Sequence, residues 1–289
     1  MAQALHAPAA LLAVLRCADW LTAERARGWC RVLAALSLTV AIGWVALSRD
    51  GLDPLGKPLG TDFVSFWTAS RLALAGHAAA AYDPLTHAAA QLALFPSAHD
   101  KYYAFFYPPV FLLLCLPVAV LPYLPSLLAW LAAGLVALLT CLRSLLPQPW
   151  AALPLLAFPA MLVNVGHGQN GFISAACFGG GMVLERRPFM AGLCLGALVF
   201  KPQLALGVPV ALIPARRWRT MAGAATSALG LCALSWLILG GAAWRGFFHI
   251  APLARTTLER GLVDPAKMQS MFAAVRLLHG GIGSPTRRN

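Results

Sequence analysis

Only ten of the 289 residues are acidic, and one of them, Asp62, stands directly after Gly60-Thr61 at the head of an apolar stretch. A carboxylate held there can take the proton of an attacking hydroxyl. Aspartate is also a favoured helix N-cap, so the position by itself supports both readings. Lys201 is the second candidate, a lone charge between Phe200 and Pro202 in the otherwise apolar run 189–214. A lysine at the centre of a membrane helix costs about 2.5–3.5 kcal/mol, and such residues tend to be functional, here with phosphate as the fitting anion. The plainer alternative is a lysine snorkelling from a helix end. The third group is GHGQNG (166–171), where His167, Gln169 and Asn170 offer directed hydrogen bonds beside glycines that allow close approach to the backbone. It lacks the strand context and residue order of a nucleotide-binding loop, and a plain turn between helices would look the same. Tyr82-Asp83-Pro84 reads as a turn. YAFFYPP (103–109) reads as an interfacial aromatic belt whose rings, Tyr107 among them, could also stack on a sugar. The histidines show no metal-ligand spacing and no acidic pair of the DxD type occurs, so neither a bound catalytic metal nor another cofactor is expected.

The elements that must position these residues are membrane helices. The chain is 60% hydrophobic and 11% charged, with a mean hydropathy of +0.71, whereas soluble domains are about a quarter charged. Its net charge of +12 is scattered between apolar stretches, which suits basic cytoplasmic loops and not a nucleic-acid surface. The seven cysteines (17, 30, 115, 141, 177, 194, 232) have no CxxC spacing and read as small core residues. The short apolar run 11–15 lacks a basic flank, whereas Arg25, Arg27 and Arg31 precede the run 32–48, which reads as an uncleaved signal anchor with residues 1–31 cytoplasmic. Candidate segments follow at 105–121, 124–142, 150–165, 171–184, 189–214 and 221–243, about seven crossings in all, several interrupted by Pro or Gly as in broken helices that line a cavity.

Residues 49–104 form one long polar stretch with five of the ten acids, Asp50, Asp53, Asp62, Asp83 and Asp100, and are expected to be an extracytoplasmic loop that carries the site. Within it, residues 62–76 have helix spacing and are expected to lie as an amphipathic helix along the membrane. Arg186-Arg187 and Arg216-Arg217-Trp218-Arg219 both look cytoplasmic. That requires 189–214 to go out and come back, with two half-helices meeting at Lys201-Pro202. A strict count of crossings from the N-terminus instead puts Arg186 outside, and the sequence leaves the conflict open. Residues 105–243 would form the bundle of a single membrane domain spanning 1–289, with 244–289 a polar and incomplete C-terminal segment.

Taken in order, GTDFVSFWTASRLALAG (60–76), AYDP (81–84), FFYPPVFLLLCLPVAVLP (105–122), GHGQNGFI (166–173), MAGLCLGALVFKPQLAL (190–206), RRW (216–218) and MQSMFAAVRLL (268–278) resemble glycosyltransferase family 87. This is a group of integral membrane enzymes that includes a polyprenol-phosphate-mannose-dependent alpha-mannosyltransferase. The resemblance implies an all-α, polytopic GT-C fold in the plasma (inner) membrane, with the active site in the first loop, facing the periplasm or exterior. It implies a polyprenyl-phosphate-linked hexose donor, mannose first, a lipid or cell-envelope glycan acceptor, and transfer with inversion. Asp62 matches the family's base. Lys201 would steady the leaving phosphate, and Arg71, Tyr82, Tyr107, His167, Gln169, Asn170 and Gln203 would bind substrate. Such proteins continue through further helices after the part matched by 268–278, so a C-terminally short member is expected. The rival readings are a catalytically inactive relative or membrane assembly partner and, against the missing inverted repeat, a lipid or solute transporter.

Overall fold

The structure, a computed structural model, describes residues 17–18, 20–98, 102–259 and 271–278. The run 11–15, Asp100 and the final SPTRRN lie outside the described residues. In chain order the helices are α1 (Ala23–Ala46), α2 (Thr61–Leu74), α3 (Pro84–Leu94), α4 (Pro109–Cys115), α5 (Tyr123–Leu145), α6 (Leu153–Ala157), α7 (Pro159–His167), α8 (Gly171–Val183), α9 (Pro188–Gly196), α10 (Pro202–Ala205), α11 (Gly207–Leu212), α12 (Trp218–Glu259) and α13 (Met271–Leu278). Turns of 3-10 helix lie at Ala78–Tyr82, Leu116–Val120 and Ala197–Phe200, and no strand occurs among the described residues. The protein is an all-α membrane protein.

Among the described residues, three helices are long and apolar enough to cross a bilayer: α1, α5 and the stretch Trp218–Thr257 of α12. α1 has no buried residue and exposes Trp29, Leu36, Val40 and Val45; from Val32 on it is apolar all round, which suits lipid hydrocarbon. Of the other expected segments, 105–121, 171–184 and 189–214 are shorter pieces, Pro109–Val120, Gly171–Val183, Pro188–Phe200 and Pro202–Leu212, and 150–165 is two short helices, α6 and α7. Proline opens α4, α7, α9 and α10, where its missing N–H is not needed and its φ suits the first turn. α12 bends at Gly240, whose φ of 79° and ψ of 160° interrupt the helix. It runs on through position 243, where the sequence suggests a polar segment begins, and Phe247 packs against Tyr82 with ring centroids 6.1 Å apart.

The helix directions settle the conflict over the basic clusters. α5 and α8 run side by side in the same direction, because Gly134 abuts Phe172 and, two turns on, Gly179 abuts Cys141. Their C-terminal ends bring Arg143 and Arg186-Arg187 to one end of the bundle. Glu185 pairs with Arg217 at 3.1 Å, so the second cluster lies there too, and 188–214 goes out and returns with its turn at Lys201. Arg27, over the Trp150 ring at 6.0 Å, places the start of α1 at the same end. The segment that breaks the count is 105–121, which does not cross. Near its start Tyr107 meets Phe66 at 5.3 Å, and at its close the Arg71 guanidinium donates to the Ala119 carbonyl (3.4 Å) and the Trp67 indole to that of Leu121 (3.1 Å). Both ends therefore lie along α2.

α2 itself occupies the expected residues but is packed inside, with Thr61, Phe63, Val64, Ser65, Phe66, Thr68, Ala69 and Ser70 buried. Its rings interlock with those of Phe105, Tyr107, Phe111 and Trp130 at centroid distances of 4.8–6.5 Å, geometry that adds to plain area burial. Of the cysteines, Cys115 is buried and Cys17 exposed; the rest are half-buried, and all described ones are free.

Candidate functional site

Gly60 holds the N-cap position of α2 in the left-handed region, φ 71° and ψ 58°. Asp62 therefore lies in the first helical turn and is not the cap, although a negative charge is favoured there by the helix dipole. Its carboxylate accepts a hydrogen bond from the Gln169 side-chain amide. One residue earlier, the Thr61 hydroxyl lies 2.6 Å from His167 Nδ1, and the Gly60 N–H donates to the Gly166 carbonyl at 3.2 Å. Three successive residues of the first loop are thus laced to the GHGQNG loop, more than 100 positions away.

One stripe of α5 aligns the two loops. Tyr123, Leu127, Trp130 and Gly134 fall on the same helical face by their spacing. The Tyr123 hydroxyl donates to the Leu59 and Gly60 carbonyls (2.6 and 3.1 Å) and the Trp130 indole to that of Gly168 (3.1 Å). The Leu127 methyls lie against both Gly60 and Gly168. Gly168 has φ 63°, and a Cβ there would stand 2.5 Å from that of Phe63, so the turn requires glycine both conformationally and sterically. Asn164 secures the far side of the turn: its side-chain oxygen accepts from the Gly171 N–H and its carbonyl from the Gln169 N–H, each at 2.9 Å.

Asn170 is fully buried, its side-chain amide enclosed. The Tyr107 hydroxyl adjoins that amide and lies within electrostatic range of Asp62. Lys201 is half-buried, with no carboxylate at ion-pair distance among the described residues. It follows Phe200, whose ring stacks on Phe111 at 5.6 Å, and Phe111 in turn meets Tyr107 at 4.3 Å. One aromatic core thus carries the backbone of Lys201 and the ring of Tyr107.

The structure brings together Asp62, Tyr107, His167, Gln169 and Asn170. It does not bring Arg71, Tyr82 or Gln203 to them. Arg71 is nine residues beyond Asp62 on α2, about 14 Å along the axis, with its guanidinium over the Trp67 ring at 5.6 Å. Tyr82 is a core side chain against Phe105 and Phe247, and Gln203 is exposed on α10. Thr61, Tyr123, Trp130 and Asn164 are not singled out by the sequence. The 123/127/130/134 stripe of Tyr, Leu, Trp and Gly was the available signal for two of them.

The first loop is braced by its own polar contacts. Asp83 caps α3 through the Thr86 hydroxyl and N–H, and these bonds hold its carboxyl below the usual range. His87 is buried with its Nε2 donating to the Ser65 carbonyl at 3.2 Å and its Nδ1 accepting from Gln91 at 3.4 Å. Burial pushes its pKa down to about 4, partly opposed by the Ser65 bond. Gln91 pairs in both directions with the Tyr103 backbone, at 2.8 and 2.9 Å, which ties α3 to the segment leading to Tyr107.

Among known proteins, the family model described as glycosyltransferase family 87 matches residues 105–287, which include Tyr107, the GHGQNG loop and Lys201. Asp62 and the rest of the first loop precede the matched span. No curated protein and no solved structure matches the chain. A match over more than half the chain, on an all-α protein with three helices among the described residues long and apolar enough to cross a membrane, makes this chain a member of glycosyltransferase family 87 and a membrane glycosyltransferase.

Proposed function

We propose that the protein transfers a hexose, mannose being the first expectation, from a polyprenyl-phosphate donor to a lipid or cell-envelope glycan acceptor, with Asp62 as the base. The observation that carries this reading is the Asp62–Gln169 pair, at the loop-rich end of the bundle opposite Arg143, Arg186 and Arg217. The family match supplies the sugar transfer. In the proposed step the acceptor hydroxyl gives its proton to Asp62 as its oxygen bonds the anomeric carbon. The bond from that carbon to the phosphate oxygen breaks on the opposite face, and polyprenyl phosphate leaves with the electron pair, so the configuration inverts. Lys201 is assigned to the leaving phosphate, and Tyr107, His167, Gln169 and Asn170 to the sugar pocket. The positive-inside rule favours an arrangement in the plasma membrane with the arginine-rich end cytoplasmic and the Asp62 end outside.

The test is transfer from radiolabelled polyprenyl-phosphate-mannose in membranes containing the protein. Asp62→Asn is expected to insert normally and to lose at least about a hundredfold in rate, the usual contribution of a positioned base. Full activity in this variant would overturn the assignment of Asp62. Lys201→Ala is expected to raise the donor KM.

A further inference from the structure

A cavity lies at the arginine-rich end, far from Asp62, where α9 and α12 begin together. It measures about 310 Å³ and is lined by Glu185, Pro188, Arg216, Arg217, Trp218, Arg219 and Thr220. The three lining guanidiniums face one carboxylate, and that carboxylate is already engaged by Arg217 at 3.1 Å, so Arg216 and Arg219 leave net positive charge at the mouth. Guanidinium groups bind phosphate oxygens bidentately.

The surroundings favour a lipid as the source of that phosphate. Phe189, Met190, Val210 and Ile213, beside the cavity in sequence, are 37–73% exposed, apolar surface that suits acyl chains. Trp218 is 60% exposed on the rim, where an amphipathic ring sits at headgroup level. The walls are also rigid. Gly192 and Gly196 on α9 press against the backbone of α12 so closely that a Cβ on either would stand 2.1 Å from the carbonyl of Thr220 or Ala224, a small-residue crossing of the kind that holds membrane helices in fixed contact.

We propose that this cavity seats the phosphate headgroup of an anionic membrane lipid, at the end of the bundle opposite the proposed sugar-transfer site and independently of it. Basic pockets between membrane helices have this use elsewhere. The experiment is lipid retention by the full chain in detergent, read by native mass spectrometry with added phosphatidylglycerol, phosphatidylcholine or inorganic phosphate. The expected result is retention of phosphatidylglycerol over phosphatidylcholine, weakened by roughly tenfold or more in Arg216→Gln/Arg219→Gln. Arg143→Gln, at the same end but outside the cavity, is expected to bind as the parent does. Thermal unfolding of each variant without added lipid shows that the fold is retained. Equal retention of both lipids, unchanged binding in the double variant, or displacement of phosphatidylglycerol by millimolar phosphate at equal occupancy would each overturn the proposal, the last by identifying a free-anion site.

Discussion

The Asp62 carboxylate is steered by the Gln169 amide, and the adjoining Thr61 hydroxyl lies against His167 Nδ1, so the GHGQNG loop helps to orient the proposed base. Gln169→Ala removes that steering and is expected to lower kcat by about ten- to a hundredfold, since a misplacement of about 1 Å costs that much. Steady-state kinetics with KM near the parent value would match this, whereas an unchanged kcat would remove Gln169 from the site. His87 gives a pH signature of a different kind. Its folded-state pKa of about 4 lies below the ordinary 6.5, so between those values the unfolded chain binds the extra proton and stability falls as pH falls. The contribution is complete above about 6.5 and lost by about 4, up to about 3 kcal/mol. The unfolding temperature is expected to drop between pH 7 and 5, with a shallower slope in His87→Gln. At this scale the sequence was informative about which residue types mattered, because Asp62 and GHGQNG are polar islands in apolar text. It could not decide between cap and base, since that depends on Gly60 taking the left-handed conformation at the N-cap.

The stripe on α5 positions both loops, the Tyr123 hydroxyl holding the Leu59 and Gly60 carbonyls and the Trp130 indole that of Gly168. Gly168→Ala tests it: the new methyl would meet Phe63 and Leu127, at 2.5 and 2.8 Å, in a turn with φ 63°. Overpacking of this kind costs about 1–3 kcal/mol, with left-handed strain in addition. The expected result is a lower unfolding temperature together with lost transfer; a variant of parent stability would show that the turn can relax. Helix existence was legible from hydropathy in every segment. Direction was not, because a segment such as 105–121 has the composition of a span and the contacts of a helix laid along α2. The burial of α2 was equally hidden: the helix expected to lie along the membrane has Ser65, Thr68 and Ser70 enclosed.

Across the whole molecule, most of the described acids and most of the described arginines lie at opposite ends. The first loop holds Asp50, Asp53, Asp62 and Asp83, while Arg27, Arg143, Arg186 and Arg217 gather at the other end. In a cysteine-free background, Asp53→Cys is expected to react with a membrane-impermeant thiol reagent on intact cells and Arg186→Cys only after permeabilisation. Labelling of both from the same side would contradict the separation of the ends. This sorting was visible in the sequence as a rule about arginines, and what obscured it was one miscounted crossing. The lacing of residues 60–62 to 166–169 also sets an order of events during biogenesis. A ribosome adding about 5–20 residues per second needs roughly 5–20 s to make the intervening chain. For that interval Asp62 has emerged without the glutamine that orients it, and the insertion machinery must deliver α5 to α8 before the proposed centre exists at all.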